Sequence, residues 1–534
     1  MKVRFFSMVM CTLVFVVNVR AQVGISAVLD TIQHSAFNFF WYEANPANGL
    51  IKDRNTSGSA CSIASVGFGL TAIAIGVDHG WVSRSAARDR VLTTLKTFWY
   101  GPQGSGNAYI GNFGLFYHFL DMTTAKRAWN SELSTIDTGL LLAGIVDAKQ
   151  YFDGSDSLET LIRACADSLY YRMNWDLMRN YNSGILMGWM PGKGFSDANG
   201  NPYPQWRGYN EASIMYILAM GSPTYPVDSE GWRYWSSGYI WANYYGFQYV
   251  AFAPLFGHQY SQCWLDLRNN ADQYMRDHGI TYFENSRRAT LAQRAYSIDN
   301  PSHRAGYSDS LWGITASDIQ GSYLARGAPP AENDDGTLAP TAPVSSIPFA
   351  PEAVIPVIMN MWNNYRDRLW MQYGFRDAFN LALNWWDTDV IGIDQGPMII
   401  MIENYRTGKV WNRFMRNADV QRGLQVAGFQ TVTGIAEPGS PLTYTLEQNH
   451  PNPFNPTTAI SYQLSVASHV RLVVFDLLGH EVKTLTDGLQ SAGRYSVSFD
   501  GSRFASGLYL YRLIAIPAEG GFPFVEQKKM LLVR

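Results

Sequence analysis

Three acidic residues lie where loops rich in glycine and aromatic residues meet apolar segments. Glu211 follows Asn210 in "QWRGYNEASIMYILAMGSP", and Asp137 lies in "STIDTGLLLAG". Asp394 precedes a Gly-Pro pair, where a helix is predicted to start, in "TDVIGIDQGPMIIMIENYRTG",. Cleavage of a glycosidic bond needs one protonated carboxyl that donates to the leaving oxygen and a second, ionised group that acts as base or nucleophile. The three acids are therefore candidates for acid–base hydrolysis.

Glu211 is the candidate for the proton donor. Trp206, Tyr209 and Met215 flank it within one loop-and-helix segment, and burial against such walls raises the pKa of a carboxyl towards neutrality. The alternative is that a glutamate near a helix N-terminus only complements the helix dipole, and from a single sequence this is the commoner case. Asp137 and Asp394 carry a similar alternative, because aspartate often caps a helix.

A third polar loop, "SDSLWGITASD", contains Asp309, Trp312 and Asp318. Its Asp and Ser residues fit simple turns about as well as they fit a binding site.

The sequence predicts no metal site and no cofactor. Behind the N-terminal segment, Cys61, Cys165 and Cys263 form an odd and sparse set with no histidine at close spacing, which fits neither a disulfide framework nor a metal site. The segment "SDANGNPY" faintly resembles a calcium loop, but no downstream glutamate completes it. We interpret this segment as a turn.

Helical patterns dominate from Gln22 to about Phe429. In "DSLETLIRACADSLYYRM", apolar residues recur at three- and four-residue steps behind Asp156 and Glu159, which is typical of a capped amphipathic helix. Similar segments are separated by long loops rich in glycine, proline and aromatic residues, and loops beyond about 15 residues tend to be functional. We predict an all-α toroid of paired helices over residues 22–429, with the long loops gathered at one end.

The pattern changes near residue 430. The segment "TVTGIAEPGSPLT" predicts a linker over residues 430–442. Apolar residues then alternate with polar ones, as strands with one buried face do; they are Ile460, Tyr462, Leu464, Val470, Leu472, Val474, Tyr495, Val497 and Phe499. Residues 443–534 are therefore predicted to form a small all-β, immunoglobulin-like sandwich.

The N-terminal 21 residues have the features of a signal peptide. Lys2 and Arg4 precede an apolar run from Phe5 to Val17, and Val19 and Ala21 have the spacing that a signal peptidase recognises,. No later segment reaches about 18 uninterrupted apolar residues, so the mature chain is predicted to be soluble and exported, with no transmembrane segment.

The overall charge argues against nucleic acid as a partner. The chain has 41 Lys and Arg against 44 Asp and Glu, and charged residues make up only 16% of it, so no basic stripe is available to neutralise phosphates. Aromatic residues make up 14%. Most of them fit a helical core, and others could stack on sugar rings.

The C-terminal segment resembles the sorting domain of proteins exported through the type IX secretion system. The resemblance covers about residues 443–534 and rests on "LEQNHPNPFNPTTAISYQL", "VRLVVFDLLGHEVKTL", "GRYSVSFDGSRFASGLYLYRL" and "KKMLLVR". It implies export across the periplasm and outer membrane, with the secretion machinery as a partner and a secreted or surface-attached product. The alternative is a plain immunoglobulin-like accessory module, for example a sugar binder, and the strands show no cluster of exposed aromatic residues that would form a binding platform.

The large segment, about residues 25–425, resembles the bacterial glycoamylase-like family, which includes the endo-β-1,2-glucanases of glycoside hydrolase family 144. The motifs, in chain order, are "FNFFWYEANPANGLIKDRN", "CSIASVGFGLTAIAIGVDHGW", "STIDTGLLLAG", "GWMPGKGF", "RGYNEASIMYILAMGSP", "GITASD", "PFAPE" and "GIDQGPMIIMIENYRTGKVW". The resemblance implies an (α/α)6 barrel and hydrolysis with inversion at the anomeric carbon.

The resemblance also implies roles for individual residues. Glu211 in "YNEA" corresponds to the general acid, and Asp394 is preferred over Asp137 as the base. The predicted substrate-binding residues are Trp189, Trp206, Arg207, Tyr209, Trp312, Asp318 and Glu403.

The sequence thus predicts an exported endo-β-1,2-glucanase with a polysaccharide or oligosaccharide substrate. One alternative is a hydrolase of another glucan linkage, glucoamylase-like or β-glucosidase-like, because loops rather than the barrel decide the linkage. A second alternative is a surface glycan-binding protein without turnover. The several acids argue against it, since neutral sugars are bound mainly by rings and amides.

Overall fold

A computed structural model describes residues 24–432, 444–464, 467–477, 479–490, 493–517 and 524–533. The predicted signal peptide, residues 1–21, lies outside the described residues, as does most of the predicted linker. No helix in the described ranges combines the length and apolar character needed to cross a bilayer.

The first described range forms a helical toroid. Its helices are α1 (Ile25–Tyr42), α2 (Ile63–Asp78), α3 (Arg84–Tyr100), α4 (Thr135–Tyr151), α5 (Ser157–Arg172), α6 (Ser213–Gly221), α7 (Ser229–Ser236), α8 (Phe256–Gln259), α9 (Gln273–Asp277), α10 (Tyr282–Asp299), α11 (Thr341–Val344), α12 (Pro351–Asn360), α13 (Arg366–Leu369), α14 (Gly392–Thr407), α15 (Lys409–Phe414) and α16 (Ala418–Val426). Short 3-10 turns occupy Leu177–Arg179 and Ser261–Cys263, and a π-helical turn occupies Met361–Tyr365.

The long helices form an inner and an outer layer that alternate along the chain. The inner helices α2, α4, α6 and α14 are buried along nearly their whole length and pack side by side. The outer helices α1, α3 and α5 bury only one face, which accounts for their periodic apolar stripes,. The predicted helix behind Asp156 is confirmed as α5, and Asp156 accepts hydrogen bonds from the backbone N–H groups of Leu158 and Glu159.

Glycine lets the inner helices α2 and α4 touch through their backbones. A Cβ atom on Gly67 would lie 2.2 Å from the carbonyl oxygen of Leu140, and one on Gly144 would lie 2.0 Å from the carbonyl oxygen of Gly67. Because backbone atoms cannot move aside, any side chain here would push the helices apart. This close contact fixes where the N-termini of α2 and α4 lie relative to each other.

Short two- to four-residue strands connect the helices at the loop end and elsewhere. They are β1 (Cys61–Ser62), β2 (Gly111–Asn112), β3 (Leu115–Phe116), β4 (Phe119–Leu120), β5 (Leu133–Ser134), β6 (Gly188–Trp189), β7 (Trp241–Tyr244), β8 (Phe247–Val250), β9 (Asn270–Ala271), β10 (Ser317–Ile319), β11 (Ser322–Leu324), β12 (Thr337–Leu338), β13 (Trp370–Met371), β14 (Gly374–Phe375), β15 (Phe379–Asn380), β16 (Trp385–Trp386) and β17 (Gln430–Thr431).

The helical unit extends slightly beyond its predicted boundary. Strand β17 pairs with β9, and the backbone N–H of Val432 donates to the carbonyl oxygen of Asn269 at 2.9 Å. Residues 430–432 are therefore part of the helical unit rather than the start of a linker, because their backbone groups are already paired within it.

The last part of the chain is strand-rich. Its strands are β18 (Thr445–Leu446), β19 (Thr457–Leu464), β20 (Ser468–Phe475), β21 (Glu481–Gln490), β22 (Gly493–Asp500), β23 (Gly507–Pro517) and β24 (Phe524–Leu532). They form two antiparallel sheets of order β18–β19–β22 and β21–β20–β23–β24. The predicted alternation is confirmed in β19 and β20, where Ile460, Leu464, Leu472 and Val474 are fully buried in a separate core.

Candidate active site

Glu211 lies in the turn that precedes α6, and it does not cap that helix. The side chain of Asn210 accepts the backbone N–H of Ala212 at 3.0 Å and the indole N–H of Trp235 at 3.1 Å. The backbone carbonyl of Glu211 accepts the hydroxyl of Ser261 at 2.7 Å. Neighbours thus hold the backbone of this turn in place, and the Glu211 carboxyl, which accepts its own backbone N–H, caps no helix.

The surroundings of Glu211 favour its protonated form. Burial raises the pKa of Glu211 to about 7, and the negative charge of Asp137 adds to the rise. A carboxyl of this kind is still protonated near neutral pH and can donate to a leaving group.

Asp137 lies in the first turn of α4 and is paired with a histidine. The hydroxyl of Ser134, which caps α4, donates to Asp137 Oδ2 at 2.5 Å, and His118 Nε2 lies 3.5 Å from Asp137 Oδ1. The other ring nitrogen of His118 contacts Glu132 at 2.8 Å. Burial lowers the pKa of His118, but Asp137 and Glu132 outweigh it and raise that pKa to about 9. Asp137 therefore faces an imidazolium ion.

Asp394 is buried in the first turn of α14, which begins at Gly392 rather than at the Gly-Pro pair. Burial raises the pKa of Asp394, a hydrogen bond with the carboxyl of Asp377 opposes the rise, and the charges of Asp318 and Asp53 add to it.

Pro397 helps to place a tyrosine between the two acids. A proline has no N–H, so in a helix it leaves the carbonyl four residues earlier, here that of Ile393, without its partner. The hydroxyl of Tyr260 donates to this carbonyl at 3.0 Å. The charges of Asp394 and Glu211 both act on Tyr260 and raise its pKa, after burial as the main cause. Glu211 and Asp394 therefore both lie near the same phenol group.

Arg54 is the cation of this acidic region. Its guanidinium bonds Asp53 at 3.2 Å, Asp318 at 2.8 Å and Asp389 at 2.9 Å. Asp318, a predicted site residue, is connected to Asp394 through Asp377, which accepts the backbone N–H of Asp318 at 2.5 Å and is hydrogen-bonded to Asp394. Since Arg54 supplies the positive charge that Asp318 needs, we assign no metal ligand among these residues.

Several residues of this region were missed by sequence reasoning. Arg54 and Asp53 lie in a segment quoted above for its family resemblance, "GLIKDRN", but a lone Asp-Arg pair predicts only a surface ion pair. Asp377, Asp387 and His118 lie in irregular loops without any periodic signal.

Three predicted substrate-binding residues lie around the start of α4 or close to Glu211 in the chain. Trp189 on β6 is half-buried beside β5, which leads into α4. The indole N–H of Trp206 donates to Thr135 Oγ1 at 3.0 Å. Arg207 is exposed, with its guanidinium 5.6 Å from the ring centre of Tyr234.

Three other predicted substrate-binding residues, Tyr209, Trp312 and Glu403, have packing or ion-pair contacts within the toroid. Tyr209 is buried and stacks on Tyr282, with 5.9 Å between ring centres, so it is a core residue. Trp312 is 0% exposed and packs in the apolar core.

Glu403 lies towards the opposite end of α14 from Asp394. Nine residues of α-helix separate the two, about 13 Å along the axis. Glu403 accepts from Gln33 at 3.3 Å and Thr407 at 2.7 Å and pairs with His79 at 2.8 Å. It is a buried structural acid that cross-links helices.

Two known protein families match segments of the chain. Residues 203–418 match the family described as "Putative glucoamylase". Residues 449–516 match the "Secretion system C-terminal sorting domain".

The chain is also similar to a curated protein, an exo β-1,2-glucooligosaccharide sophorohydrolase (non-reducing end) from Parabacteroides distasonis. The two are 31% identical over 436 residues, which cover 74% of this chain and 57% of that protein. The chain thus spans little more than half the length of that relative.

Solved structures share the helical toroid. A "putative glucoamylase" from Bacteroides uniformis superposes with a TM-score of 0.71 at 33% identity, covering 77% of this chain and 99% of that one. An endo-β-1,2-glucanase from Chitinophaga pinensis, solved with sophorotriose and glucose, gives a TM-score of 0.69 at 28% identity, covering 77% and 99%. Since a relative at one-third identity is matched almost from end to end, the chain belongs to the family described as "Putative glucoamylase", and it carries a secretion-system C-terminal sorting domain behind its helical toroid.

Proposed function

We propose that this chain is a secreted glycoside hydrolase that cleaves β-1,2-glucan with inversion of the anomeric carbon. The observation that carries the proposal is Glu211, a half-buried carboxyl that caps no helix, has a pKa raised to about 7, and shares a neighbouring tyrosine with the buried Asp394. Two relatives whose names state action on β-1,2-linked glucose support the choice of substrate.

In this proposal the two acids have separate roles. Glu211 donates its proton to the glycosidic oxygen as the bond to the anomeric carbon breaks. Asp394 accepts a proton from the attacking water, directly or through a substrate hydroxyl, and the new bond forms on the opposite face of the ring. The products are two shorter glucans, and the new reducing end first appears as the α-anomer.

Asp394 is preferred over Asp137 as the base because of their partners. Both oxygens of Asp137 already have partners in the chain, since His118 Nε2 lies 3.5 Å from Oδ1 and the Ser134 hydroxyl donates to Oδ2 at 2.5 Å. Asp137 instead contributes negative charge beside Glu211 and so helps to keep Glu211 protonated.

Trp189, Trp206 and Arg207 are proposed to bind sugar units next to Glu211. Their rings and guanidinium offer the flat faces and donors that glucose units need. Asp318 is proposed to bind the substrate on the side of the site where Asp394 lies.

A panel of β-1,2-, β-1,3-, β-1,4- and α-linked glucans tests the proposal. We expect reducing sugar to be released from β-1,2-glucan at least tenfold faster than from any other member. Products of mixed length would indicate endo action, and accumulation of disaccharide alone would indicate exo action. Binding of β-1,2-glucan without turnover would instead establish the surface glycan-binding alternative.

Activity is expected to follow a bell-shaped pH profile centred near pH 7. Glu211 must be protonated, so the rate falls as pH rises through its pKa of about 7. Asp394 must be ionised, and because burial raises its pKa, the rate also falls on the acidic side at a higher pH than for an exposed aspartate,. Measurement of kcat/KM from pH 4 to 10 checks this, and a flat profile above pH 7 would exclude Glu211 as the acid.

We further propose a role for each part of the chain. Residues 1–21 direct export, and the toroid is an (α/α)6 barrel that forms the catalytic domain. Residues 443–534 are a type IX sorting domain with an immunoglobulin-like fold. The sheet orders β18–β19–β22 and β21–β20–β23–β24 support that fold, as does the match to a sorting domain,.

Limited proteolysis is expected to cut the chain between Val432 and Tyr444. The intervening sequence has no apolar pattern that could bury it, whereas both flanks are paired in sheets,. A fragment ending near residue 432 is expected to keep full activity on β-1,2-glucan. If a folded fragment of this length is inactive, residues 443–534 have a role beyond sorting.

A further inference from the structure

The carboxyl of Asp394 is surrounded by other acids. Asp377 is hydrogen-bonded to it and is 2% exposed, and Asp387 is 6% exposed. One carboxylate oxygen from each of Asp318, Asp377 and Asp387 lies within 4.8 Å of the others. We call Asp318, Asp377, Asp387 and Asp394 the acid cluster.

The cations nearby do not neutralise the whole cluster. Arg54 bonds Asp318, Asp53 and Asp389, whereas no described ion pair includes Asp377 or Asp387. Buried carboxylates without a cation are too costly to remain ionised, so they take up protons instead.

The hydrogen bonds indicate which oxygens are protonated. Asp377 Oδ2 accepts the backbone N–H of Asp318 at 2.5 Å, and one oxygen of Asp387 accepts the backbone N–H of Thr388 at 2.7 Å. The other oxygens, Asp377 Oδ1 and Asp387 Oδ2, are buried and no donor in the described chain faces them. A buried oxygen surrounded by acceptors is satisfied if it carries the proton itself.

From this arrangement, and resting on the proposed function, we propose that Asp377 is a positioning residue that stays protonated at neutral pH and donates its proton in a hydrogen bond to Asp394. Asp377 thereby keeps the base both ionised and correctly oriented. Asp387 has the same relation to Asp318, to which its carboxyl is hydrogen-bonded. The protonated acids Asp377 and Asp387 then alternate with the ionised acids Asp394 and Asp318. Arg54 lies beside the ionised Asp318.

The other charged groups around Asp377 are consistent with this state. The charges of Asp394 and Asp318 raise the pKa of Asp377 further, after burial as the main cause. Asp53, Asp389 and Arg54 face Asp318. Tyr323 on β11 is 45% exposed, and partial loss of hydration together with the charges of Asp394 and Asp377 raises the pKa of its phenol. The phenol of Tyr323 therefore stays neutral and adds no charge.

The variant Asp377→Asn tests the proposal because an amide resembles a protonated carboxyl. It can still accept from the N–H of Asp318 and donate to Asp394. We expect kcat on β-1,2-glucan to stay within about fivefold of the wild type and the acidic limb of the pH profile to move by less than about half a unit. Asp377→Leu has no donor, so kcat should fall by about 10- to 100-fold, and the acidic limb should move to higher pH by about one unit.

The matched control is Asp272→Asn. Asp272 is also a buried aspartate, but it accepts from Trp232, Tyr282 and Met275 away from the acid cluster. This variant tests whether loss of any buried carboxyl moves the acidic limb, and we expect no movement. Circular dichroism establishes that each variant is folded.

Infrared difference spectroscopy gives a readout that does not depend on activity. The wild-type spectrum minus that of Asp377→Asn at pH 7 should contain the C=O stretch of a protonated carboxylic acid, and this band should shift in D₂O. If the wild type hydrolyses no glucan but the band is present, the proposed function is wrong while the protonated state of Asp377 stands.

Three results would overturn the proposal. The first is a missing carboxylic acid band. The second is an inactive but folded Asp377→Asn protein, which would mean that Asp377 works as an ionised base. The third is a rise in melting temperature with added Ca²⁺ that Asp377→Asn abolishes, which would place a cation where we place the proton.

Discussion

Replacement of Glu211 by glutamine is expected to lower kcat on β-1,2-glucan by about 10²- to 10⁴-fold, with little change in stability. Glutamine keeps the size of the side chain but cannot donate a proton to the glycosidic oxygen, and a positioned acid contributes about this much to the rate. If Glu211 only complemented the dipole of α6, the change would cost about 0.3–1 kcal/mol of stability and leave the chemistry intact. Steady-state kinetics and thermal melting of the same preparation separate the two cases.

The control for this variant is Glu403→Gln. Glu403 is more deeply buried than the half-buried Glu211, but it lies towards the far end of α14, where it pairs with His79. We expect Glu403→Gln to lose stability and to keep kcat near the wild-type value. Near-normal turnover in Glu211→Gln, or equal loss in both variants, would contradict the role of Glu211.

Replacement of Asp394 by asparagine is expected to lower kcat by a similar factor of about 10²–10⁴, for a different reason. Asparagine can still bond Asp377, but it cannot accept a proton from the attacking water. Because water activation is needed whatever the leaving group, the loss should be the same on glucan and on an aryl β-glucoside or sophoroside that the enzyme accepts. Glu211→Gln should instead recover much of its rate on the aryl substrate, since a phenolate leaves without protonation.

Asp137→Asn serves as the comparison for Asp394→Asn. Loss of the Asp137 charge lowers the pKa of Glu211, so the basic limb of the pH profile should move to lower pH while the leaving-group dependence stays that of the wild type. If Asp137→Asn loses more activity than Asp394→Asn at every pH, the roles of the two aspartates are exchanged.

Periodic apolar patterns were sufficient to predict the toroid, its helices and the strand-rich C-terminal segment. The helix starts at "STIDTG" and "GIDQGP" follow from such patterns, and these starts bring Asp137 and Asp394 to the same region. Two boundaries differ from the prediction: the start of α14 at Gly392 and the end of the helical unit at residues 430–432. Both depend on hydrogen bonds to distant segments, which a local sequence pattern does not contain.

The acid cluster could not be predicted in the same way. Arg54, Asp318, Asp377 and Asp387 are far apart in the chain and lie in irregular loops or a three-residue strand, so only tertiary packing brings them together. The packing of Trp312 and Glu403 could not be predicted for the same reason. Both residue types suit a sugar site, and only the fold shows that one packs in the core and the other cross-links helices.

A proton NMR time course of the wild-type reaction tests most directly whether Glu211 and Asp394 hydrolyse β-1,2-glucan with inversion of the anomeric carbon. The first-formed reducing end should give the α-anomer signal, which then relaxes towards the equilibrium mixture by mutarotation. Inversion leaves room for a water between the two carboxyls, whereas a closely spaced pair would form a covalent intermediate and retain configuration. An initial β-anomer signal, or no new reducing end from β-1,2-glucan, would contradict the account.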